Sequence, residues 1–550
     1  MTALLWKLPA LDLARHIAAK EVSCVEVVDA HLKRIDEVNP ALNAIVHVLR
    51  DEARAAARAA DARVAAGEPL PPLHGVPFTV KANIDMAGQP TTWGVVPLAH
   101  AVVPADAPVV ERMRAAGAIP IGRTNLPDMA LRVHTDSSLH GLTRNPWNPK
   151  RTCAGSSGGE AVALATGMSA LGLGNDIGGS LRNPASACGI ASIRPSFGRV
   201  PDAGFVPVQD RLLAVQLMNA QGPMARRISD VRAALAVLSG AHPRDAWSID
   251  APAVRPVRNA KGRVRVAVVA EPPGGRTDPA VAAVGAVLPR RSKVRATRSS
   301  RATPPRYEDA VAAWARFLIG DFGLVMPQLL PLMGDDAKRF LGVANQAVPG
   351  FASPSALSEL MVQRDGIARA WAQFLAEMPL VLSPTWTQLP FEVGFDVASP
   401  EGTGATIEMM RPVLPANLLG LPSACVPAGR DTATGLPIGV LLTGAGSAMS
   451  LLDAAEVVER QAARDADRSG ARMVSLRRAG SVRRGLRVLR SSRAKVGARQ
   501  GRQGRLLCPH SGAQSSWAAE SGHERSRAPR RPDPATTRPS ATYRYRQSVD

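Results

Sequence analysis

The sequence is poor in cysteine and lacks the cysteine patterns that hold a zinc ion or staple a small secreted fold. Its five cysteines include no C-x-x-C pair, and their number is odd. These features argue against a disulfide framework or a zinc ribbon and predict a reducing compartment. No metal site and no cofactor is expected.

The chain also lacks a long hydrophobic run. Its longest uncharged, apolar-leaning stretch, residues 161–174, is 14 residues long, whereas a membrane-spanning helix needs about 20. Residues 1–7 have no basic region followed by an apolar core, so they do not resemble a signal peptide. The sequence predicts a cytoplasmic protein with no membrane partner.

Positive charge is abundant but confined to two segments. The 550 residues carry a net charge of +21. Residues 471–550 contain 19 Lys and Arg against 4 Asp and Glu, and residues 290–301 contain six basic side chains and no acidic one. The rest of the chain is therefore neutral overall.

The basic C-terminal tail, residues 471–550, is predicted to be disordered because apolar residues are isolated among Arg, Ser, Gly, Gln and Pro. It is either a basic arm for nucleic acid or an anionic membrane, or a non-native extension such as a frameshifted read of GC-rich coding sequence. The second interpretation is favoured because charge runs are weak motifs, so nucleic acid is not expected as a partner. The aberrant basic segment, residues 288–303, has no apolar period, and a non-native origin is considered for it as well.

Residues 1–470 are predicted to form one domain in which helices and strands alternate. Helical spacing runs from residue 11 to 49 with breaks near Ser23 and Pro40, and a strand over residues 76–81 precedes a helix over 107–116 and a strand over 118–122. A further helix is expected over residues 161–171, strands over 263–269, 379–385 and 435–444, and a closing helix over 451–459. This alternation predicts an α/β fold with a largely buried sheet.

Two glycine-rich loops, each with a serine, are the most informative feature of the chain. Ser156 lies in the loop Cys153–Glu160 and Ser180 in the loop Gly174–Ser180, while Lys81 stands alone upstream. Glycine flanks a nucleophile where backbone amides must approach an oxyanion. The amides of Ile177, Gly178 and Gly179 can point at one such oxyanion. No histidine stands near these motifs, so Lys81 is the candidate base, provided that burial lowers its pKa from about 10.4 to about 7.

The pattern resembles the amidase signature family. That resemblance implies that Ser180 is the nucleophile, Ser156 after a cis peptide bond is the bridging serine, and Lys81 is the base. It covers about residues 5–464, with the segment near Arg290 as a gap, and implies a twisted mixed β-sheet core flanked by α-helices. The expected partner is a small-molecule amide. Whether the chain forms a homodimer is left open.

The same resemblance implies further roles around the site. Supporting residues are Ser157, Asp176 and Arg182. The backbone of Met129 and Ala130, together with Trp93, is expected near the substrate path. Two departures are Asn175, where the family usually has Thr, and Ala154, where it often has Gly. We expect both to affect substrate fit more than activity.

Other catalytic or nucleotide-binding motifs are incomplete in these loops. Residues 155–159 match G-x-S-x-G, but the downstream histidines His242, His510 and His523 do not stand where a triad histidine should. Gly172–Ile177 lacks the third glycine of a dinucleotide-binding loop, and no P-loop is present.

Three functions therefore stay open: a stand-alone amidase that hydrolyses a carboxamide to acid and ammonia through a serine acyl-enzyme, the A subunit of an aspartyl/glutamyl-tRNA amidotransferase, and an inactive family member. The first is the leading interpretation. Aromatic residues between 307 and 375 either line an apolar acyl pocket or form ordinary helix core, and the second is favoured; they are Trp314, Phe317, Phe322, Phe340, Trp371 and Phe374.

Overall fold

A mixed β-sheet is the centre of the computed structural model, which describes residues 2–206, 210–251, 264–284, 295–297, 303–348, 350–351, 353, 355–446 and 448–468. In these residues the main sheet has eleven strands in the order β1-β3-β2-β6-β8-β7-β12-β13-β11-β9-β10, and β4 and β5 form a separate hairpin. The strands are β1 Ile45–Val48, β2 Pro77–Lys81, β3 Ile119–Thr124, β4 Asp136–Ser137, β5 Gly141–Leu142, β6 Leu171–Asn175, β7 Ala191–Arg194, β8 Gln221–Ala225, β9 Arg265–Val268, β10 Arg295–Thr297, β11 Leu380–Pro384, β12 Ser423–Arg430 and β13 Pro437–Gly444.

Helices connect and cover these strands. The α-helices are α1 Ala10–Ala18, α2 Cys24–Leu42, α3 Arg50–Ala66, α4 Pro108–Ala115, α5 Gly158–Ala165, α6 Arg182–Cys188, α7 Leu213–Met218, α8 Ile228–Leu238, α9 Tyr307–Gly323, α10 Met326–Leu329, α11 Asp335–Ala347, α12 Ser355–Glu377, α13 Phe395–Ala398, α14 Pro400–Glu408, α15 Leu414–Leu419 and α16 Ala448–Arg468. Short 3₁₀ turns occupy Thr2–Lys7, Val96–Leu98, Asp128–Ala130 and Leu330–Leu332.

The sheet separates two hydrophobic cores. In β11, Leu380 and Leu382 pack into one core while Val381 between them packs into the other. Successive side chains of a strand point to opposite faces, so the two cores lie on opposite faces of the sheet. A sheet covered on both faces explains why its strands read as continuous apolar runs. The predicted α/β fold with a mixed sheet flanked by helices is confirmed.

The break predicted near Ser23 separates α1 from α2, and its cause is local. The Ser23 side chain accepts from the backbone N–H of Glu26, and the Glu26 carboxylate accepts from the backbone N–H of Ser23. This capping box satisfies amides that the first turn of a helix leaves unpaired. The second break, at Pro40, lies inside the last turn of α2, which ends at Leu42. The prediction of helical spacing as far as residue 49 is wrong beyond this point, because Ile45–Val48 form strand β1.

One helix is shorter than the sequence indicates. The prediction of a helix over residues 161–171 is wrong at its end, because α5 stops at Ala165 and Leu171 already begins β6. Gly167 makes this turn with φ of +78°, and a Cβ there would lie 2.2 Å from the ring of Trp6. The tight turn therefore depends on a residue without a side chain.

Two predictions concern residues that the structure describes in part or not at all. The tail, residues 471–550, lies outside the described residues, so its disorder and the domain boundary at 470 stay predictions. In the basic segment 288–303, the described residues include β10, which pairs parallel with β9 at one edge of the sheet. All described residues belong to one unit, Met1–Arg484.

No single helix in the described ranges is both long and apolar enough to cross a membrane. The pair Tyr307–Gly323 and Met326–Leu332 meets the length and composition criteria only when the two are taken together, and it is bent by 66°.

Candidate active site

Parallel strands bring the candidate base to one edge of the sheet. Strand β2 pairs parallel with both β3 and β6. Lys81 is the last residue of β2 and Asn175 the last residue of β6. Because parallel strands end at the same edge, the two side chains meet there. The Lys81 Nζ lies 2.7 Å from Asn175 Oδ1 and 2.7 Å from Ser156 Oγ.

Lys81 lies in surroundings that favour its neutral form. The side chain is fully buried, and burial lowers its pKa from 10.5 to about 7, although the charges of Asp176 and Glu160 oppose this shift. In the described part of the chain no carboxylate forms an ion pair with Nζ. Removing an amine from water disfavours its charged form, so a large fraction of Lys81 is a free amine near neutral pH.

Glu160, a buried residue of α5, is a second titratable group beneath the site. Its Oε2 accepts from the Thr124 hydroxyl at 2.8 Å, and its Oε1 accepts from the Thr79 hydroxyl. Burial raises the pKa of Glu160 to about 8, against the effect of these hydrogen bonds and of Lys81. The sequence analysis did not single out this residue.

Ser156 lies in the turn that leads into α5. The peptide bond between Gly155 and Ser156 is cis, and Ala154 before it has φ of +62°. The Ala154 N–H donates to Thr152 Oγ1 at 2.9 Å, and the Ala154 carbonyl accepts from Thr135 Oγ1 at 2.8 Å. These bonds hold the turn so that Ser156 Oγ faces Lys81. Ser157 occupies the N-cap position of α5.

Ser180 lies beside this turn, but its hydroxyl is not joined to it. The Ser157 N–H donates to the Ser180 carbonyl at 3.2 Å. Within the described residues the Ser180 hydroxyl has no hydrogen-bond partner, so the bond to Ser156 that a proton relay needs is not formed here. The Ser180 side chain lines a cavity next to the loop, together with Ile177 and Gly178.

The predicted oxyanion amides fall into two groups. In the described residues the N–H groups of Ile177 and Gly178 have no acceptor, so they remain open. The Gly179 N–H donates to Asp176 Oδ1 at 2.7 Å and is therefore engaged. The carboxylate of Asp176 shapes this loop from inside, because Oδ2 also accepts from the Leu181 N–H at 3.1 Å.

Asp176 is itself held by a buried clamp. Arg182 donates to both carboxylate oxygens, each at 2.9 Å, and Asn417 Nδ2 donates to Oδ1 at 2.8 Å. Burial alone raises the pKa of Asp176, but the charge and hydrogen bonds of Arg182 outweigh it and hold the pKa below its ordinary value. A bidentate pair fixes geometry as well as charge. Asp176 and Arg182, two of the predicted supporting residues, thus lie close to the site. Asn417 was not among the predicted supporting residues.

The predicted substrate-path residues lie next to the cavity, and Ala130 is the one of them that lines it. Met129 and Ala130 both have positive φ, +50° and +58°, which is uncommon outside glycine. The Met129 N–H donates to the Trp93 carbonyl at 2.9 Å. Ala130 lines the cavity, whereas Met129 packs behind it in the second core.

The cavity beside Ser180 is almost entirely apolar. Arg132 is the one charged residue among the described residues that line it, and Arg132 Nε is paired with the buried Asp396 Oδ2 at 2.6 Å. The wall opposite the loops comes from α9 and α11.

All six aromatic residues singled out between 307 and 375 pack in or against the second core, and three of them also line the cavity. Trp314, Phe322 and Phe340 line the cavity. Phe317 and Trp371 belong to the second core, with Phe374 partly buried against it. Helix core alone, the favoured interpretation, therefore does not describe the whole set.

Trp314 joins this wall to the loop Gly174–Ser180. Its Nε1 donates to the Ile177 carbonyl at 2.9 Å. The ring lies so close to Gly178 that a Cβ there would be 2.6 Å from Trp314 Cζ2. Periodicity places an aromatic residue on a helix face, but it carries no signal for a contact across 137 residues of sequence.

The profile of the protein family described as Amidase matches residues 26–448. The chain belongs to the amidase signature family. Members of this family are amide hydrolases, and this chain is one of them.

Individual relatives agree with this assignment. The chain is 40% identical over 464 residues to an indoleacetamide hydrolase of Bradyrhizobium diazoefficiens, covering 83% of this chain and 87% of that protein. It is 33% identical over 462 residues to the A subunit of the glutamyl-tRNA(Gln) amidotransferase of Thermosynechococcus vestitus, covering 79% and 93%. A solved bacterial aryl acylamidase superimposes with a TM-score of 0.70 at 25% identity, covering 83% and 96%.

Proposed function

We propose that this amidase hydrolyses a small carboxamide with an apolar acyl group to a carboxylic acid and ammonia, through an acyl-enzyme on Ser180. The observation that carries the proposal is the buried Lys81 amine, 2.7 Å from Ser156 Oγ, next to a serine that faces an apolar cavity. A lysine can act as a base only when it is neutral, and burial favours that state.

Acylation begins with a relay of one proton. Ser156 gives its hydroxyl proton to Lys81 Nζ and takes the proton of Ser180, whose Oγ bonds to the amide carbon. Catalytic hydrogen bonds often tighten only when substrate binds, which accounts for a Ser156–Ser180 bond that forms in the complex.

The carbonyl π electrons move onto oxygen as Ser180 attacks. That oxyanion faces the open N–H groups of Ile177 and Gly178, whose hydrogen bonds strengthen as its charge develops. The proton then returns from Lys81 through Ser156 to the amide nitrogen, the C–N bond breaks and ammonia leaves. Water attacks the Ser180 ester by the same relay, which releases the acid and restores the hydroxyl.

The cavity favours an aryl or other apolar acyl group. Its walls of Trp314, Phe322 and Phe340 offer apolar area and aromatic faces. The indoleacetamide hydrolase of Bradyrhizobium diazoefficiens has a name that states an aryl substrate. We propose indoleacetamide and related aryl amides as the substrate class.

A glutamine substrate, as in the tRNA amidotransferase alternative, fits this cavity less well. Free glutamine carries an ammonium and a carboxylate, and both lose solvation on burial unless they are paired. The charged side chain among the described lining residues, Arg132, is already bound to Asp396. A partner-dependent enzyme would release no ammonia from aryl amides by itself, so the same assay separates the two functions.

The test is ammonia release from indoleacetamide by the purified chain alone, without ATP. Ser180→Ala and Lys81→Ala should each lower kcat by about 10⁴-fold or more, and hydroxylamine should trap the acyl group from the wild-type protein. The matched control is Ser192→Ala, since the Ser192 hydroxyl is buried in β7 without a partner among the described residues.

Two results would contradict the proposal. A Ser180→Ala protein that turns over at the wild-type rate would remove the nucleophile. A folded wild-type chain that releases ammonia from no aryl amide would favour the amidotransferase subunit or an inactive family member.

A further inference from the structure

The amine of Lys81 contacts a carboxamide as closely as it contacts Ser156. Its Nζ lies 2.7 Å from Asn175 Oδ1, the same distance as to Ser156 Oγ. In the described residues these two oxygens are its hydrogen-bond partners. An amide oxygen can accept but never donate, whereas a hydroxyl can do both. The two partners of Lys81 are therefore chemically different.

A second asparagine contacts the other end of the Asn175 amide. Asn175 Nδ2 donates to Asn83 Oδ1 at 3.0 Å, and Asn83 Nδ2 lies 3.5 Å from Asn175 Oδ1. Turning the Asn175 amide over would place its NH₂ group against Nζ and its oxygen against Asn83 Oδ1. Both asparagines are buried, at 7% exposure each, so water does not replace these bonds.

The contact with Asn175 affects where the lone pair of a neutral Lys81 amine points. A free amine has two N–H bonds and one lone pair. When one N–H is directed at Asn175 Oδ1, the lone pair can face Ser156 Oγ, which is where the proton must arrive. After the transfer the resulting ammonium donates to both oxygens, so the same contact holds both states of the base.

We propose that Asn175 is a positioning residue that turns the lone pair of Lys81 toward Ser156, and that Asn83 holds the Asn175 amide in the orientation this requires. The inference rests on the proposed role of Lys81 as the base. It assigns a role in activity to a position at which the sequence predicted an effect on substrate fit more than on activity.

An uncharged acceptor suits this position better than a carboxylate. The carboxyl groups that already act on Lys81 are Asp176, in the loop after β6, and Glu160 in α5; Arg123 in β3 acts in turn on Glu160. Both carboxyl groups raise the pKa of Lys81. A carboxylate in direct contact with Nζ would raise it further and keep the lysine charged at neutral pH.

The experiment measures kcat/KM for indoleacetamide against pH in the full chain. Asn175→Asp keeps the shape of the side chain. The acidic limb of its kcat/KM profile should move to higher pH by about one unit or more, and kcat/KM should recover at high pH. Asn175→Ala and Asn83→Ala should lower kcat by about tenfold to a hundredfold with little change in KM. The control is Asn39→Asp, because among the described residues the Asn39 side chain bonds the backbone of Ala44 and Ile45 and nothing else. The pH profile of this variant should match the wild type.

The outcomes separate this inference from the proposed function. If Lys81→Ala is inactive but Asn175→Asp has the wild-type pH profile, Asn175 does not position the base and only this inference fails. If Lys81→Ala is active, the base itself is wrong. Should Asn175→Asp not fold, the folded Asn175→Ala protein decides, because a wild-type kcat there overturns the inference.

Discussion

In the mechanism that we propose, Lys81 must lose its proton before it can accept one from Ser156, so activity should depend on pH in a defined direction. Burial lowers the pKa of Lys81 to about 7. Below that pH the side chain is an ammonium without a lone pair, and above it a free amine. We expect kcat/KM to rise about tenfold per pH unit below about pH 7 and then to level off.

The measurement is a pH profile of ammonia release by the wild-type chain. Glu160 titrates nearby, with a pKa raised by burial to about 8, so the apparent values belong to the coupled pair. Glu160→Gln should simplify the profile to one step. Activity that stays constant from about pH 5.5 to about pH 9 would contradict a lysine base.

At the scale of single residues the sequence singled out groups that the fold brings together, and their catalytic roles stay predictions. Lys81 and Ser156, which resemblance to the family picked out, lie within hydrogen-bonding distance. The sequence could not show that the Gly179 N–H is engaged by Asp176, because that depends on how the loop folds. It also could not show that Asn175 meets Lys81, although both end parallel strands that pair with each other.

At the scale of single elements, helix α9 makes two contributions to the site. It lines the acyl cavity and, through Trp314 Nε1, holds the Ile177 carbonyl at 2.9 Å. In a trans peptide group the N–H points the opposite way to the carbonyl, so this bond sets the direction of the Gly178 N–H. Trp314→Phe keeps a ring against Gly178 but loses the hydrogen bond. We expect kcat to fall about tenfold with little change in KM.

A second tryptophan provides the control for this prediction. Trp371 in α12 is also buried, but among the described residues its Nε1 has no hydrogen-bond partner. Trp371→Phe removes no hydrogen bond there and should leave kcat unchanged. Equal kcat in the two variants would show that α9 only lines the cavity, and a rise in KM alone would point to acyl binding.

Helices and strands with strong periodicity were found close to their true ends, and the exceptions have local causes. The sequence predicted a strand at residues 76–81, and β2 runs from Pro77 to Lys81. The predicted end of α5 was wrong, because the turn after this helix depends on Gly167 packing against Trp6. The order of the strands could not be predicted from the sequence. Strand β6, for example, pairs with β8, although α6 and β7 lie between them in the chain.

Thr166 marks the end of α5. The Thr166 hydroxyl donates to the Val162 carbonyl at 2.7 Å, a local bond that competes with continued helix. The apolar composition that suggested a longer helix resumes only at Met168. A threonine followed by glycine was therefore the signal in the sequence for the true end of this helix.

At the scale of the whole molecule, the sequence established the class of fold but not which strands are neighbours. Alternating elements predicted an α/β fold with a largely buried sheet, and Leu380, Val381 and Leu382 alternate between two cores as that requires. Strand β11 pairs with β9 by placing Leu380 beside Val266, although a long stretch of chain separates the two. Periodicity is a local signal and carries no information about such pairs.

The last prediction concerns the chain after residue 470. The residues that we place in the site lie between Lys81 and Asn417, and α16 closes the described part at Arg468. The 80 residues that follow position 470 carry 19 of the 67 basic side chains of the chain. A protein truncated after Gly470 should therefore keep the kcat/KM of the full chain for indoleacetamide and bind a cation-exchange resin less tightly.

Measuring both proteins side by side at two salt concentrations tests this. Because screening weakens contacts between exposed charges, binding of the full chain to the resin should fall with salt while its turnover does not. If the truncated protein is folded, as judged by a cooperative thermal transition, but turns over more slowly, residues beyond 470 contribute to the site. Equal turnover would separate the function of the amidase from the charge of its C-terminal segment.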